Sequence, residues 1–126
     1  MSDQPNTSGM DLGFEKVRAL APVPRLVHFI LQQAVLDGAD RIEFCLADES
    51  SDTGFQIAVR THASESKLPL SPGCLFSPCM VILCNHAGVA YYAKGHVKGK
   101  IRTINPTSEW VMESDDLQQR LLLSKT

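Results

Sequence analysis

The stretch from Val23 to Asp37 constrains this chain most. Val23, Leu26, Val27, Ile30, Leu31, Ala34 and Val35 fall on one broad arc at about 100° per residue, with Arg25, His28 and Gln32 opposite. Ala21-Pro22-Val23-Pro24 reads as a helix entry, since proline is tolerated in a first turn, and Gly38 stands where a left-handed stop residue belongs. Arg41 to Leu46 then switches to a period of two, with Ile42, Phe44 and Leu46 facing inward. A helix with an apolar stripe that feeds directly into a half-buried strand has to pack on a sheet, which makes the chain α+β. Phe29 and Leu36 form a second apolar spot off the main arc. The rest of the domain is expected to cover it, the alternative being a docked partner.

The remaining elements follow from pattern and punctuation. Phe55 to His62 alternates again, with Phe55, Ile57 and Val59 inward, so a hairpin joins it to the first strand across the polar turn Ala47 to Gly54. Ala63 to Gly73, with Pro69, Pro72 and Gly73, reads as a loop. Cys79 to Asn85 is an apolar run that periodicity leaves open between strand and helix, although Ser77-Pro78 before it and Gly88 after it favour helix. Tyr91 to Ile104 reads as extended, Asn105-Pro106-Thr107 as a turn, and Trp110 to Met112 as a short strand. Ser114-Asp115-Asp116 is expected to cap a last helix from Leu117 to Leu123. Residues 1–13 read as a flexible leader, with at most one helical turn spanning Phe14, Val17 and Leu20, and residues 14–126 as a single domain.

Composition sets the function classes. The 126 residues are 44% hydrophobic and 21% charged, with a formal charge of −2, which fits one soluble globular domain and argues against nucleic-acid binding through overall charge. No run approaches the roughly 20 apolar residues of a membrane span, and the polar start shows no secretory signal. A cytoplasmic location with reduced cysteines is the expectation.

Lys94, His96, Lys98, Lys100 and Arg102 are each two apart and would share one face of a strand. They read either as the solvated face of an edge strand or as a ribbon facing an anion or an acidic protein. Cys74, Cys79, Cys84 and His86 have spacings wider than zinc knuckles. In a helix Cys79 and Cys84 would point about 140° apart, so buried thiols are expected and no metal. No nucleophile elbow, P-loop or GxGxxG is present, and no acid–base pair stands at a useful spacing. Neither an enzyme nor a cofactor is expected.

The stretch Ala21-Pro22-Val23-Pro24-Arg25-Leu26-Val27, continued through Gln33-Ala34-Val35-Leu36-Asp37-Gly38-Ala39, resembles the opening of the second N-terminal domain of type II secretion and type IV pilus ATPases. Ala58-Val59-Arg60 matches the start of that family's Val-Arg-x-Arg strand, and Arg102-Thr103-Ile104-Asn105-Pro106-Thr107 is similar to its Arg-x-Ser-Thr-x-Pro-Thr passage, one residue short. The likeness runs from about Ala21 to Thr107. It implies a PAS-like fold: an N-terminal amphipathic helix, a mostly antiparallel sheet and a second helix packed on it. It also implies that Arg60 and Arg102 face a nucleotide or a motor domain. Asp40-Arg41-Ile42-Glu43 replaces the family's Ser-Asp-x-His, its second arginine and Asp-Gly are absent, and without a motor domain no ATP hydrolysis is implied.

The expected function is therefore a non-catalytic protein-interaction module, an adaptor or regulator docking on a secretion or pilus ATPase through Arg60, Lys94, His96, Lys98, Lys100 and Arg102. The alternative is a small-ligand or nucleotide sensor, with an apolar cavity near Phe44, Phe55 and Phe76.

Overall fold

The computed structural model describes residues 9–46, 55–70 and 75–126. In chain order the elements are β1 (Met10–Asp11), α1 (Phe14–Ala19), α2 (Pro22–Leu36), β2 (Arg41–Leu46), β3 (Phe55–Arg60), β4 (Glu65–Leu70), α3 (Phe76–Ala87), β5 (Val97–Ile104), β6 (Ser108–Ser114) and β7 (Arg120–Lys125). The strands form one mixed sheet in the order β1-β5-β6-β7-β2-β3-β4. β1 runs parallel to β5 and every other pair is antiparallel. The α+β class is as expected.

The core lies on one face of this sheet. Ile42 and Phe44 (β2), Ile57 (β3), Ile101 (β5), Trp110 and Met112 (β6), and Leu121 and Leu123 (β7) meet Val27, Leu31 and Ala34 of α2 and Phe76, Met80 and Leu83 of α3 in one cluster. Both helices therefore cover the same side. α2 ends as its sequence requires, with Asp37 still near-helical and Gly38 at φ +75°, a conformation that carries a steric cost for any residue with a Cβ. α3 ends on Gly88 at φ +73°, and residues 79–86 are helical.

Four expectations are corrected. First, the leader does not extend to Gly13. Residues 1–8 lie outside the described residues, but Met10 and Leu12 are both 1% exposed, and Leu12 N–H donates to Ile104 O at 2.8 Å. Second, two of the three residues on the polar side of α2 are buried, His28 beside His86 of α3 and Gln32 beneath Leu12, while Arg25 stays exposed. His28 and Gln32 are 7% and 3% exposed, and Gln32 Nε2 donates to Leu12 O at 2.7 Å, which supplies the partner a buried amide needs. Third, the loop expected at Ala63 to Gly73 holds β4 over Glu65–Leu70, and residues 71–73 lie outside the described residues. Thr61 N–H donates to Ser64 O, so alternation turns the backbone of Glu65, Lys67 and Pro69 outward. Proline lacks an N–H, and this edge position needs none. Fourth, the last helix is a strand: Asp116 O accepts from Gln119 and Arg120 N–H in a turn, and Leu121 and Leu123 then alternate into the core as β7. The turn Ala47 to Gly54 and residue Cys74 lie outside the described residues.

A buried polar relay ties β5 to β6. Trp110 Nε1–H donates to Ser108 Oγ at 2.9 Å, and Thr103 Oγ1 donates to Pro106 O at 2.8 Å. The Ser108 hydroxyl is therefore left to donate to Thr103 Oγ1. Ser108→Ala leaves a fully buried indole N–H without its acceptor. A loss of about 1–3 kcal/mol in chemical denaturation is expected, with Trp110 fluorescence as the readout.

Candidate functional site: the open face of the sheet

The helices occupy one face, so the alternate side chains of every strand point to the other, which no described element covers. Two register rows cross it. One runs Lys100, Val111, Ser124, Arg41, Arg60, Glu65 from β5 to β4. The next runs Lys98, Glu113, Leu122, Glu43, Ala58, Lys67. Val111, Leu122, Ser124, Ala58 and Cys45 are half-buried, as are Glu43, which stands between Leu122 and Ala58, and Glu113 opposite Lys98, while the cations, Glu65 and Glu109 are exposed. Lys98, Lys100, Arg102, Arg120, Arg41, Arg60 and Lys67 stand against Glu109, Glu113, Glu43 and Glu65. The face is net basic on a chain whose formal charge is −2. It carries two shallow hollows, one of about 240 Å³ beside Arg120 and Leu122 and one of about 140 Å³ beside Cys45 and Ala58.

The expected five-residue basic strand face is corrected to three residues. Lys98, Lys100 and Arg102 lie in β5, and among the described residues none of them makes an ion pair. Lys94 and His96 precede the strand, because Gly95 at φ +79° breaks the period of two. His96 is held within the chain, its Nδ1 2.9 Å from Asp115 Oδ1 and its Nε2 3.3 Å from Glu113 Oε2. Arg60 shares the face with Lys100 but stands four strand spacings away, about 19 Å. The sequence reading missed Arg41, Arg120 and Lys67, whose common side emerges only from strand pairing.

Cys79 and Cys84 are fully buried in α3, and burial pushes both thiols up to about 11, so they stay protonated. Among the described residues no three metal-binding side chains converge.

The helix side holds two further features. Phe29 and Leu36 are not covered as expected: they are 48% and 59% exposed. Phe29 lines a groove of about 570 Å³ with Ile30, Ala34, Val59, Ser64 and Ser66. Where α2 meets α3, the His28 and His86 rings stand edge to face at 5.4 Å. His28 Nδ1 lies 2.8 Å from Pro24 O, which can only accept, so Nδ1 carries the proton. Partial burial lowers the His86 pKa below its ordinary value, and the neighbouring His28 adds to this. In the window just below about pH 6.5 the unfolded chain therefore binds the His86 proton more readily than the folded one. Stability is expected to be full above that window and to fall as pH drops through the lowered folded value. The gap between melting temperatures at pH 7.5 and 5.5 should narrow in His86→Asn.

No family model matches the chain, and no curated protein matches it. No helix among the described residues is long and apolar enough to cross a membrane.

Proposed function

We propose that the protein is a non-catalytic PAS-like interaction module whose open sheet face docks on a protein partner, with a secretion- or pilus-type ATPase as the named candidate. The observation that carries the reading is the uncovered, net basic face, on which half-buried Val111, Leu122 and Ala58 stand among exposed cations. Protein interfaces combine apolar contact with polar and charged groups, and charge of one sign steers encounter with a partner of the other. The order of helix, strands, second helix and strands on a mostly antiparallel sheet supports the PAS-like assignment. The ATPase proposal rests on the resemblance. Arg60 and Arg102, its two candidate contacts, share the basic face.

The test is affinity capture from native lysate on the immobilised protein, read by mass spectrometry, with Lys98→Glu/Lys100→Glu as the control. Enrichment of such an ATPase that disappears with the variant is the expected result. Equal enrichment on both would remove this face from the account.

The groove beside Phe29 favours a second reading, a small-ligand sensor. Its volume is that of a ligand site, and Gln33, Asp37, Thr61, Ser64 and Ser66 supply polar groups around its apolar wall. It is not the cavity expected near Phe44, Phe55 and Phe76, since Phe44 and Phe76 are packed in the core. A small molecule that raises the melting temperature of the wild type but not of Ser66→Trp, a change at an exposed residue of the groove wall, would support it.

A further inference from the structure

The sheet has two edges, and they differ. At β4 the outward backbone positions are Glu65, Lys67 and Pro69, so one donor is missing and the charges are of both signs. That is how an edge is protected from pairing. The β5 edge is built otherwise. Among the described residues, β1 pairs with it at Thr103 and Ile104. Leu12 N–H donates to Ile104 O at 2.8 Å, which fixes the even-numbered residues of β5 as those whose backbone turns toward this edge. Among the described residues, the N–H and C=O groups of Lys98 and Lys100 are therefore left without a strand to pair with.

The two ends of this stretch are defined. β1 closes it past Arg102, and the Gly95 turn with His96 tied to Asp115 closes it before Val97. The six residues between span about 20 Å. On the open face they present Lys98, Lys100 and Arg102, all exposed. On the helix face Gly99 is flush with the end of α3, since a Cβ there would lie 2.8 Å from Ala87 O and 2.9 Å from Val89 Cγ2. An added strand would thus meet cations at alternate positions on one side. On the other it would meet a small apolar shelf formed by Gly99 and half-buried Val89.

We infer that the β5 edge from Val97 to Arg102 is a strand-addition site for an extended protein segment with acidic side chains at alternate positions and small apolar ones between. Backbone hydrogen bonds to Lys98 and Lys100 hold the segment, and its carboxylates lie beside the three cations, as opposite charges on neighbouring strands do. This rests on the docking reading above and adds to it the partner's backbone conformation and its charge pattern.

The test uses the full chain and a capped octapeptide of alternating Glu and Val. A second peptide is N-methylated at the alternate amides that would face β5. Binding is followed by NMR, with amide exchange at Lys98 and Lys100 as the site readout. The expected result is slowed exchange at those two amides, and affinity about tenfold weaker both for the N-methylated peptide and for Lys98→Glu/Lys100→Glu. Equal affinity for the two peptides, with the charge reversal still weakening both, would overturn strand addition and leave face docking standing. Binding untouched by the charge reversal, or no binding of either peptide, would overturn the proposal. Because Lys98 and Lys100 are exposed, the double variant is expected to fold, and its melting curve checks this.

Discussion

Replacing Gly99 by valine is expected to lower the stability of the domain by about 3 kcal/mol or more, in the upper range for overpacking. A Cβ at this position would stand 2.8 Å from the Ala87 carbonyl oxygen, 2.9 Å from Val89 Cγ2 and 3.1 Å from Ala87 Cβ. The first of these is backbone at the end of α3, so no side-chain rotation relieves the contact. Either α3 lifts from β5 or β5 lifts from its pairing with β6. Gly99 stands opposite Met112, next to the buried pair Ile101 and Trp110, so either movement opens the core. Denaturant melts would read the loss. A Gly99→Val protein as stable as the wild type would mean that α3 does not sit against β5 as described. Gly95 and Gly88 make a useful contrast. Nothing lies within 4 Å of a Cβ at either, and their need for glycine is the positive φ alone.

Reversing charge at Lys98 and Lys100 is expected to weaken partner binding about tenfold at physiological salt, with the difference shrinking as salt rises. The two changes move four charge units on a face that is net basic. The cost to folding should be small and uneven. Lys100 pairs with Val111, so Lys100→Glu meets no like charge directly opposite. Lys98 pairs with Glu113, so Lys98→Glu places two carboxylates opposite each other, at about 0.2–1 kcal/mol. Isothermal titration and a melting curve on each single variant separate the two effects.

The elements legible in the sequence are those whose signal is local. α2 shows as a continuous apolar arc that stops at Gly38, β2 and β3 as clean alternation, and α3 as an apolar run with a glycine stop, although Leu75 and not Ser77 is its N-cap. The elements that were missed depend on distant partners. β4 lies at the sheet edge, so its sequence is free to carry Ser66, Lys67 and Pro69 and reads as a loop. β7 lies between β6 and β2, where Leu121-Leu122-Leu123 is too short an apolar run to distinguish strand from helix, and the acidic pair before it resembles a cap. His28 and Gln32 look outward because periodicity identifies only the apolar arc. Leu12, 20 residues earlier, covers Gln32, and His86 of α3 stands against His28.

The candidate site divides in the same way. The spacing of two found Lys98, Lys100 and Arg102. It continued too far, to Lys94 and His96, because a glycine with positive φ ends the strand without disturbing the count. Arg41, Arg60, Arg120 and Lys67 share a face with them only through the order β5-β6-β7-β2-β3-β4, which no local pattern encodes.

The most direct measurement of the central claim is the affinity of a captured partner, by isothermal titration, for three proteins: wild type, Lys98→Glu/Lys100→Glu, and Arg18→Glu/Arg25→Glu. The last pair is exposed on the helix side and reverses the same amount of charge. Docking through the open sheet face predicts that the first variant binds about tenfold more weakly and the second binds as wild type. A loss in the helix-side variant alone, with the sheet-face variant unchanged, would contradict it.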